Sequence, residues 1–308
     1  MTLQQLKYII AIDRHRNFAR AAAELDITQP TLSALLQKLE NELDVRIFHR
    51  SNKGVCPTPA GRKILQQAER AVKEAERIAE LVAEEKGGLA GSLDLSVGPT
   101  IAPYILPRFI RTYTGLFPQV RLTIVEMKAA TMLDALRAGR LDVGIAVSGH
   151  EREGTLEIPL YTEPFWVYIA ESCWRKLPVF NPADLEHEQM WIMKESQCLR
   201  DSAFSFCKAR NVGKRIYEAG SIETLIRIVD ENGGFTIIPE MHLPLLTARQ
   251  RENVRRIEGD YLSRRRVSMY IAEDCIRERM LNSVVEALAA FVPAGMMEAR
   301  LKKYGIRL

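Results

Sequence analysis

The feature that most restricts the fold is a regular run of apolar and small residues in the first third of the chain. The run follows Thr58-Pro59, a helix N-cap with a first-turn proline, and stops at Gly87-Gly88. Its apolar positions alternate in steps of four and three, at Ile64, Ala68, Ala71, Ala75, Ile78 and Val82. This period predicts one long helix with a narrow seam. Because a seam of small residues buries little surface alone, we expect the helix to pair with a second copy of the chain; the alternative is a helix packed on its own body.

The segment before this helix has the pattern of three shorter helices. Apolar residues recur at helical spacing from Leu3, and residues 18–25 are strong helix formers. Thr28 is suited to cap a third helix over about residues 29–43, with Pro30 in its first turn. The side chains expected to face the core from this helix are Leu32, Leu35, Leu36, Leu39 and Leu43. Those expected on its exposed side are Gln29, Thr31, Ser33, Gln37 and Lys38. Such side chains suit base edges and phosphates when a helix points its N-terminus into the major groove of DNA, although helix pairs of this kind also occur in proteins that never bind DNA.

The charge of the chain is unevenly distributed. Residues 1–63 carry ten Lys or Arg and six Asp or Glu, so the whole formal net charge of +4 lies in this segment. A basic head on a neutral body suggests that the head meets a polyanion, although many solvated surfaces carry a similar excess. No apolar run reaches the roughly 18 residues needed to span a bilayer, and the first residues do not have the pattern of a signal peptide. We therefore expect a cytoplasmic protein without membrane contact.

From Leu89 onward, short apolar strands alternate with amphipathic helices. We expect strands at 92–97, 120–126, 143–147, 165–169, 190–193, 215–219, 236–238 and 267–272, and helices at 106–113, 131–138 and 277–290. This alternation predicts an α/β fold with a mostly parallel sheet, in two subdomains that are joined by crossing strands and enclose a cleft. Ligands of such folds bind where strands end and helices begin, which points to the loop Gly98-Pro99-Thr100. The alternative role of Thr100 is that of a helix cap.

The N-terminal residues resemble a known family. The stretch FARAAAELDITQPTLSALLQKLENELDVRIFHR over residues 18–50, followed by Thr58-Pro59-Ala60-Gly61, resembles the winged helix-turn-helix signature of LysR-type transcriptional regulators nearly position for position. The resemblance implies two wing strands, at 47–50 and 55–58, around a tip at 52–54. It also implies contacts to DNA bases and phosphates from Thr28, Gln29, Pro30, Thr31, Ser33, Lys38, Arg50 and Lys53. The alternative for Arg50 is a solvated charge at the end of a strand.

The same resemblance extends to domain organisation and partners. It implies a DNA-binding domain at 1–58, a linker and dimerisation helix at 59–88, and a regulatory domain at 89–308 that is similar to periplasmic binding proteins. Subdomain I would cover about 89–163 and 268–300, and subdomain II about 164–267. A two-fold dimer would read an inverted-repeat promoter site in double-stranded DNA with two recognition helices. Assembly into a homotetramer and contact with RNA polymerase are further expectations for a member of this family.

A second resemblance involves two cysteines. The stretch CLRDSAFSFC over residues 198–207 closely resembles the hydrogen peroxide-sensing OxyR branch of the family, including the eight residues between the cysteines. The resemblance implies a reversible disulfide between Cys198 and Cys207. It also implies a peroxide pocket, to which we assign Thr100, Thr131, Arg200 and Arg266. Two positions depart from the pattern of the branch: Gln197 stands where histidine is common, and Ala129 where a pocket threonine is usual, with Thr131 nearby as a substitute.

Elementary chemistry agrees with a redox role for these cysteines. Cys198 follows Ser196, a residue suited to cap a helix, and a helix N-terminus stabilises a thiolate. A thiolate attacks the O–O bond of hydrogen peroxide and becomes a sulfenic acid, which a second thiol converts into a disulfide. If residues 199–208 form one helix, the two Cα atoms lie roughly 13 Å apart along its axis, whereas a disulfide needs about 7 Å or less. Oxidation would then unwind this segment, repack the regulatory domain and reorient the DNA-binding heads.

Two other functions are compatible with the sequence. One is a LysR-type regulator that responds to a small-molecule effector in the cleft between the subdomains, with cysteines that only pack. The other is a thiol peroxidase, which would leave the DNA-binding head and the pairing helix without a purpose, so we do not expect an enzyme. Cys56, Cys173 and Cys275 have no matching context, and no cysteine has zinc-ligand spacing with another Cys or His. We therefore expect no metal and no cofactor, and five cysteines that rest as thiols in the cytosol.

Overall fold

The chain folds into two compact units. A computed structural model describes residues 1–51, 54–85, 88–150, 152–171, 179–180, 190–193, 214–217, 221–257 and 264–307. The first unit comprises Met1–Gly91 with Ala138–Arg140, and the second comprises Ser92–Arg137 with Leu141–Leu308. Within the described residues, no helix is both long enough and apolar enough to cross a lipid bilayer. The predicted boundaries at residues 58 and 88 and the limits of the two subdomains stay predictions.

The first unit begins with three helices that start at side-chain caps. The helices are α1 (Leu3–His15), α2 (Phe18–Glu24) and α3 (Gln29–Glu42). Thr2 begins α1 with a capping box, and the side chain of Asn17 accepts a hydrogen bond from the Arg20 amide at 3.0 Å. Thr28 caps α3 and Pro30 lies in its first turn, where a missing amide hydrogen costs nothing. The predicted cap and first-turn proline are therefore confirmed.

The three helices enclose the core of the first unit. Its most buried members include Ile9, Ile12, Ala21, Leu32, Leu36 and Leu39. Leu35 of α3 is half-buried, but the prediction that Leu43 faces the core is wrong, because this side chain is 36% exposed. The helix ends at Glu42, and Asp44 adopts a left-handed backbone conformation with φ of 49°. The chain thus turns away at Leu43, so the helical spacing that buries Leu39 no longer applies there.

A two-stranded wing follows the helices. Strands β1 (Phe48–Ser51) and β2 (Gly54–Pro57) pair antiparallel, from Phe48 opposite Pro57 to Ser51 opposite Gly54. Both predicted strands are confirmed to within one residue. The tip residues 52–53, which include Lys53, lie outside the described residues.

The long helix α4 (Pro59–Glu85) has 27 residues and begins at a buried cap. The Thr58 hydroxyl accepts a hydrogen bond from the Gly61 amide at 2.8 Å and donates one to the Arg46 carbonyl at 2.7 Å. The start of α4 is therefore tied to the chain that enters the wing. Along the helix, Leu65, Ala68 and Val72 are buried in the core of the first unit. Further along the predicted seam, Ile78 is 64% and Val82 is 52% exposed.

The second unit is an α/β structure around a mixed sheet. Its strands are β3 (Gly91–Val97, which begins at the last residue of the first unit), β4 (Val120–Glu126), β5 (Val143–Val147), β6 (Thr155–Ile169), β7 (Val179–Phe180), β8 (Met190–Met193), β9 (Lys214–Tyr217), β10 (Phe235–Pro239), β11 (Val254–Ile257) and β12 (Arg264–Ala272). Its helices are α5 (Ala102–Leu116), α6 (Ala129–Arg137), α7 (Ile222–Asn232), α8 (Ala248–Glu252), α9 (Glu278–Ala289) and α10 (Ala299–Tyr304). A 3₁₀ helix, Glu240–Leu245, follows β10.

Two long strands, β6 and β12, cross the middle of the sheet. The strand order is β4-β3-β5-β12-β6-β10-β8-β9, and β11 pairs with β6 and β7. Strand β12 runs antiparallel to both β5 and β6, whereas β3 with β5 and β8 with β9 are parallel. The sheet is thus mixed rather than mostly parallel, because the crossing strands reverse direction at its centre. The first part of β6 pairs with β12 and its last part with β10 and β11. This arrangement confirms the predicted α/β fold in two halves joined by crossing strands.

Candidate functional site

The residues predicted to contact DNA lie at the exposed start of α3. Thr28, Gln29, Pro30 and Thr31 are exposed, and Ser33 is half-buried. The Thr28 and Thr31 hydroxyls are hydrogen-bonded to each other at 2.8 Å, so their side chains have a fixed arrangement. Exposed amide and hydroxyl groups at a helix N-terminus can reach both base edges and phosphates.

The other predicted DNA contacts are on α3 and on the wing. Lys38 is exposed and lies seven residues after Thr31, which places it on the same helix face about 10 Å further along the axis. Arg50 lies within β1, opposite Val55, and Lys53 lies outside the described residues. Within the described residues, the candidate DNA-binding surface therefore combines the polar start of α3 with the positive charge of Lys38 on the same helix face.

A buried glutamate that sequence reasoning missed holds the wing. Glu40 of α3 is 6% exposed, and its Oε1 accepts hydrogen bonds from the amides of Ile47 at 2.7 Å and Phe48 at 3.1 Å. The carboxylate thereby joins the recognition helix to the chain that enters β1. The signal in the sequence that could have indicated this role is the position of Glu40, an acidic residue next to Leu39 on the side of the helix that faces the core.

The loop predicted to bind a ligand connects β3 to α5. The Gly98 amide donates to the Ile145 carbonyl of β5 at 2.8 Å, and the amides of Ile101 and Ala102 donate to the Gly98 carbonyl. The N-cap of α5 is Ile101, which makes no side-chain cap. The alternative that Thr100 caps this helix is therefore wrong. Thr100 is half-buried, and its side chain has a different partner, Arg265.

A buried ion pair lies next to this loop. Glu163 of β6 and Arg265 of β12 are directly opposite each other and are 0% and 2% exposed. Arg265 Nε lies 2.8 Å from Glu163 Oε1. The other guanidinium nitrogens donate to Thr100 Oγ1 and to the Thr100 carbonyl, both at 3.2 Å, and to the Tyr104 hydroxyl. Because each partner is satisfied, this pair avoids the penalty of an uncompensated buried charge.

Further hydrogen bonds complete the cluster. The Tyr104 hydroxyl donates to Glu163 Oε1 at 2.9 Å, and the amide of Met241, in the 3₁₀ helix, donates to Glu163 Oε2 at 3.1 Å. Burial raises the pKa of Tyr104 and of Tyr161 above the ordinary range, so both phenols stay protonated. Burial alone would lower the pKa of Arg265, but Tyr104 and Glu163 raise it above its ordinary value. The Arg265 guanidinium therefore stays charged next to two neutral phenols.

His242 is a second buried group near this cluster. It is 1% exposed, and within the described part of the chain its Nδ1 has no hydrogen-bond partner. Burial lowers the pKa of His242, the nearby Glu223 opposes this shift, and Arg265 adds to it. The imidazole is therefore neutral at pH 7.

The remaining predicted pocket residues are more dispersed. Arg266 follows Arg265 on β12, is 56% exposed at its side chain and lies 4.0 Å from Glu298. Successive residues of a strand point to opposite faces, which explains why Arg265 is buried and Arg266 is not. Thr131 is exposed in the first turn of α6. Cys198, Arg200 and Cys207 lie outside the described residues. The structure thus brings Thr100 together with Arg265, a residue that sequence reasoning did not select.

Of the three other cysteines, two lie within the described residues and one lies outside them. Cys56 is an exposed thiol on β2 and Cys275 is a half-buried thiol, and neither is part of a disulfide. Cys173 lies outside the described residues. Within the described ranges there is no group of three or more His, Cys, Asp or Glu side chains that could hold a metal ion.

Comparison with known proteins gives matches over both units. Residues 3–62 match the model of bacterial regulatory helix-turn-helix proteins of the lysR family, and residues 86–293 match that of the LysR substrate binding domain. The DNA-binding transcriptional dual regulator OxyR of Escherichia coli is 32% identical over 246 residues, which cover 79% of this chain and 81% of that protein. Among solved structures, a full-length OxyR variant from Pseudomonas aeruginosa is 28% identical with a TM-score of 0.77, and the match covers 97% of this chain and 98% of that one. A hydrogen peroxide-bound OxyR variant from Corynebacterium glutamicum is 28% identical with a TM-score of 0.62, and the match covers 94% and 92%.

Proposed function

The chain belongs to the LysR family of bacterial transcriptional regulators, in its OxyR branch, and we propose that it senses hydrogen peroxide through a reversible disulfide between Cys198 and Cys207. The observation that carries the proposal is the pair of cysteines separated by eight residues, in a chain that is similar over 94% of its length to a peroxide-bound OxyR. The disulfide would repack the regulatory domain and so change how the DNA-binding heads meet a promoter.

The proposed formation of the disulfide has two steps. In the first, the Cys198 thiolate attacks one oxygen of hydrogen peroxide, an S–O bond forms, the O–O bond breaks and the other oxygen leaves as hydroxide. The sulfur becomes a sulfenic acid, and the hydroxide takes a proton from solvent to become water. In the second, the Cys207 sulfur attacks the Cys198 sulfur, and the sulfenic oxygen leaves as water. We place Thr100, Thr131, Arg200 and Arg266 around the peroxide.

DNA binding and self-association belong to the same proposal. The exposed polar start of α3 would read base edges in the major groove, with Arg50 and Lys53 on the phosphate backbone. The exposed Ile78 and Val82 continue the seam of α4 beyond the part that packs on its own unit, and we assign them to a homodimer that reads an inverted repeat. Assembly of dimers into a tetramer and contact with RNA polymerase complete the proposal.

One equivalent of hydrogen peroxide is expected to create a single new bond, between Cys198 and Cys207. The reduced full-length chain is treated with about one equivalent per subunit, the remaining thiols are alkylated, and the modified cysteines are mapped by mass spectrometry. Cys56, Cys173 and Cys275 serve as internal controls and should stay alkylated. In Cys198→Ser, the Cys207 thiol should remain free at the same dose, because no sulfenic acid forms for it to attack.

Two results would argue against this function. If Cys198 and Cys207 stay free even at a large excess of peroxide, the disulfide mechanism is wrong and a small-molecule effector becomes the better explanation. Peroxide consumption gives the second check, measured first without and then with an added thiol reductant. Without reductant, consumption should stop after about one equivalent per subunit. With reductant, continued consumption at rates typical of enzymes would favour a thiol peroxidase over a switch.

Gln29→Ala is expected to weaken binding to a specific promoter by about 1–3 kcal/mol, which is the usual discrimination of a bidentate base contact. Binding to random DNA should change little, because phosphate contacts dominate there. Fluorescence anisotropy with both DNAs at a fixed salt concentration measures the two effects. Gln66→Ala, the same change at an exposed position of α4, is the control. An equal loss on both DNAs would remove Gln29 from the base-reading set.

A further inference from the structure

The segment that contains the wing is positively charged. Residues 45–58 include three Lys or Arg and no Asp or Glu, and the side chain of Arg46, just before β1, is exposed. Such a segment suits the phosphates of DNA, whose attraction does not depend on sequence, whereas the exposed start of α3 suits base edges. The two kinds of contact can form together only if the wing keeps a defined position relative to α3.

Apolar packing determines which face of the wing is buried. Phe48 and Val55 are 3% and 7% exposed and belong to the core of the first unit. His49 and Cys56, which are paired across the two strands, are exposed on the other face. Apolar contacts have no preferred direction. They therefore leave the position of the wing along the core less well defined than hydrogen bonds would.

Glu40 of α3 provides the directed contacts to the chain that enters β1. Its Oε1 accepts the amides of Ile47 at 2.7 Å and Phe48 at 3.1 Å, and its backbone carbonyl accepts the Val45 amide at 3.0 Å. Ile47 is 0% and Phe48 is 3% exposed, so their amides would be left unpaired and away from water without the carboxylate. The helix that carries the base-reading side chains at its start thus holds the wing near its end.

We propose that Glu40 is a positioning residue for DNA binding, which holds the wing on α3 so that phosphate and base contacts form together. The inference rests on the DNA-reading part of the proposed function and is independent of peroxide sensing. Because Glu40 is 6% exposed, its carboxylate acts through the backbone of β1 rather than on DNA itself. Its loss should therefore reduce the number of phosphate contacts, which the salt dependence of binding measures, and should spare the discrimination between bases.

The test measures DNA binding by the full-length chain as a function of salt. One duplex is selected by the parent protein from a random library, and the other is a scrambled duplex of the same length and composition. Fluorescence anisotropy from about 50 to 200 mM KCl gives the slope of log K against log salt concentration, which changes by about 0.9 per phosphate contact. Circular dichroism checks that each protein is folded, and titration at high DNA concentration gives the active fraction.

Three variants of Glu40 separate its hydrogen bonds from its charge. Glu40→Met removes the acceptor, Glu40→Asp withdraws it by one methylene group, and Glu40→Gln keeps a carbonyl oxygen that can accept both amides. Ile9→Val is the control for lost stability, since it removes a methylene group from the core at α1 and leaves the hydrogen bonds of the wing intact. If Glu40→Met does not fold, Glu40→Asp provides the comparison.

We expect Glu40→Met and Glu40→Asp to weaken binding to both duplexes about tenfold or more and to make the salt slope shallower by about 1 or more, because phosphate contacts of the wing are lost. The ratio of the two affinities should stay within about threefold of the parent. Glu40→Gln and Ile9→Val should keep the parent slope to within about 0.5.

Three results would overturn the role of Glu40 alone. The first is a parent-like slope in Glu40→Met and Glu40→Asp, since a smaller folded fraction lowers the amount of active protein without changing the slope. The second is a loss in Glu40→Gln as large as that in Glu40→Met, which would assign the effect to charge. The third is a loss confined to the selected duplex, which would assign it to base reading by α3. A parent protein that binds both duplexes equally would overturn the DNA-reading proposal together with this inference.

Discussion

Gly61→Ala is expected to cost the first unit more than about 3 kcal/mol of unfolding free energy, a large part of the stability of a small domain. A Cβ at position 61 would lie 2.0 Å from the Ile47 carbonyl oxygen and 2.8 Å from its carbonyl carbon. Both distances are well inside the roughly 3.5–4.0 Å at which carbon atoms pack best. The first turn of α4 would have to move away from the chain that enters the wing.

The surrounding hydrogen bonds oppose such a movement. The Ile47 amide donates to Glu40 at 2.7 Å, and the Ile47 carbonyl accepts the Thr58 amide at 2.9 Å. The Gly61 amide in turn donates to the Thr58 hydroxyl at 2.8 Å. Both backbone groups that would collide are thus held in place, so relief of the clash breaks at least one buried hydrogen bond.

The position of the tryptophans allows the two units to be followed separately. Trp166, Trp174 and Trp191 all belong to the second unit, so tryptophan fluorescence reports that unit alone, whereas far-ultraviolet circular dichroism reports both. In a urea titration, Gly61→Ala should lose part of its circular dichroism at low urea while the fluorescence transition stays in place. Gly115→Ala makes the same change in α5, where the new Cβ has no neighbour within 4 Å. Its effect should stay within about 1 kcal/mol. A circular dichroism curve of Gly61→Ala that matches the parent would contradict the steric explanation.

Features that depend on a few neighbouring residues could be predicted from the sequence. The cap at Thr28 and the proline after it are local, because a helix start needs only a side-chain acceptor and a residue without an amide hydrogen. Strands β4 and β5 have the predicted bounds, 120–126 and 143–147, since apolar and polar residues alternate over most of β4 and β5 is a short apolar run. The residues expected to contact DNA were named from a family resemblance, and the structure adds that the described helical members are exposed except for Ser33, which is half-buried.

Features that depend on distant residues could not be predicted in the same way. The part of β6 that pairs with β12 contains Pro159 and Glu163, which interrupt the alternation expected of a strand, so the pairing itself is what forms this part. Glu163 and Arg265 are 102 residues apart, so no periodicity connects them. In the run Arg264-Arg265-Arg266, alternation indicates that neighbours face opposite sides, but it does not tell which side is buried. That is why the resemblance directed attention to Arg266, whereas the contact with Thr100 comes from Arg265.

Arg265→Met is expected to destabilise the second unit by about 3–5 kcal/mol, because it leaves the buried Glu163 carboxylate without its opposite charge. Among the described residues, the carboxylate would keep the Tyr104 hydroxyl and the Met241 amide as partners. The midpoint of the urea transition, followed by tryptophan fluorescence, measures the loss. Arg264→Met makes the same chemical change on the same strand at an exposed position and should cost about 0.5 kcal/mol or less.

A double variant separates lost charge compensation from lost packing. Glu163→Gln combined with Arg265→Met removes the buried charge but leaves an amide oxygen for the Tyr104 and Met241 donors. If uncompensated charge causes most of the loss, the double variant should be at least about 2 kcal/mol more stable than Arg265→Met alone. If the guanidinium acts mainly by filling space against Tyr104 and Phe165, whose rings lie 5.9 and 5.8 Å from its central carbon, the second substitution should bring no recovery. The difference in unfolding free energy between the two variants therefore measures how strongly the charge of Arg265 stabilises the region where β6 and β12 pair.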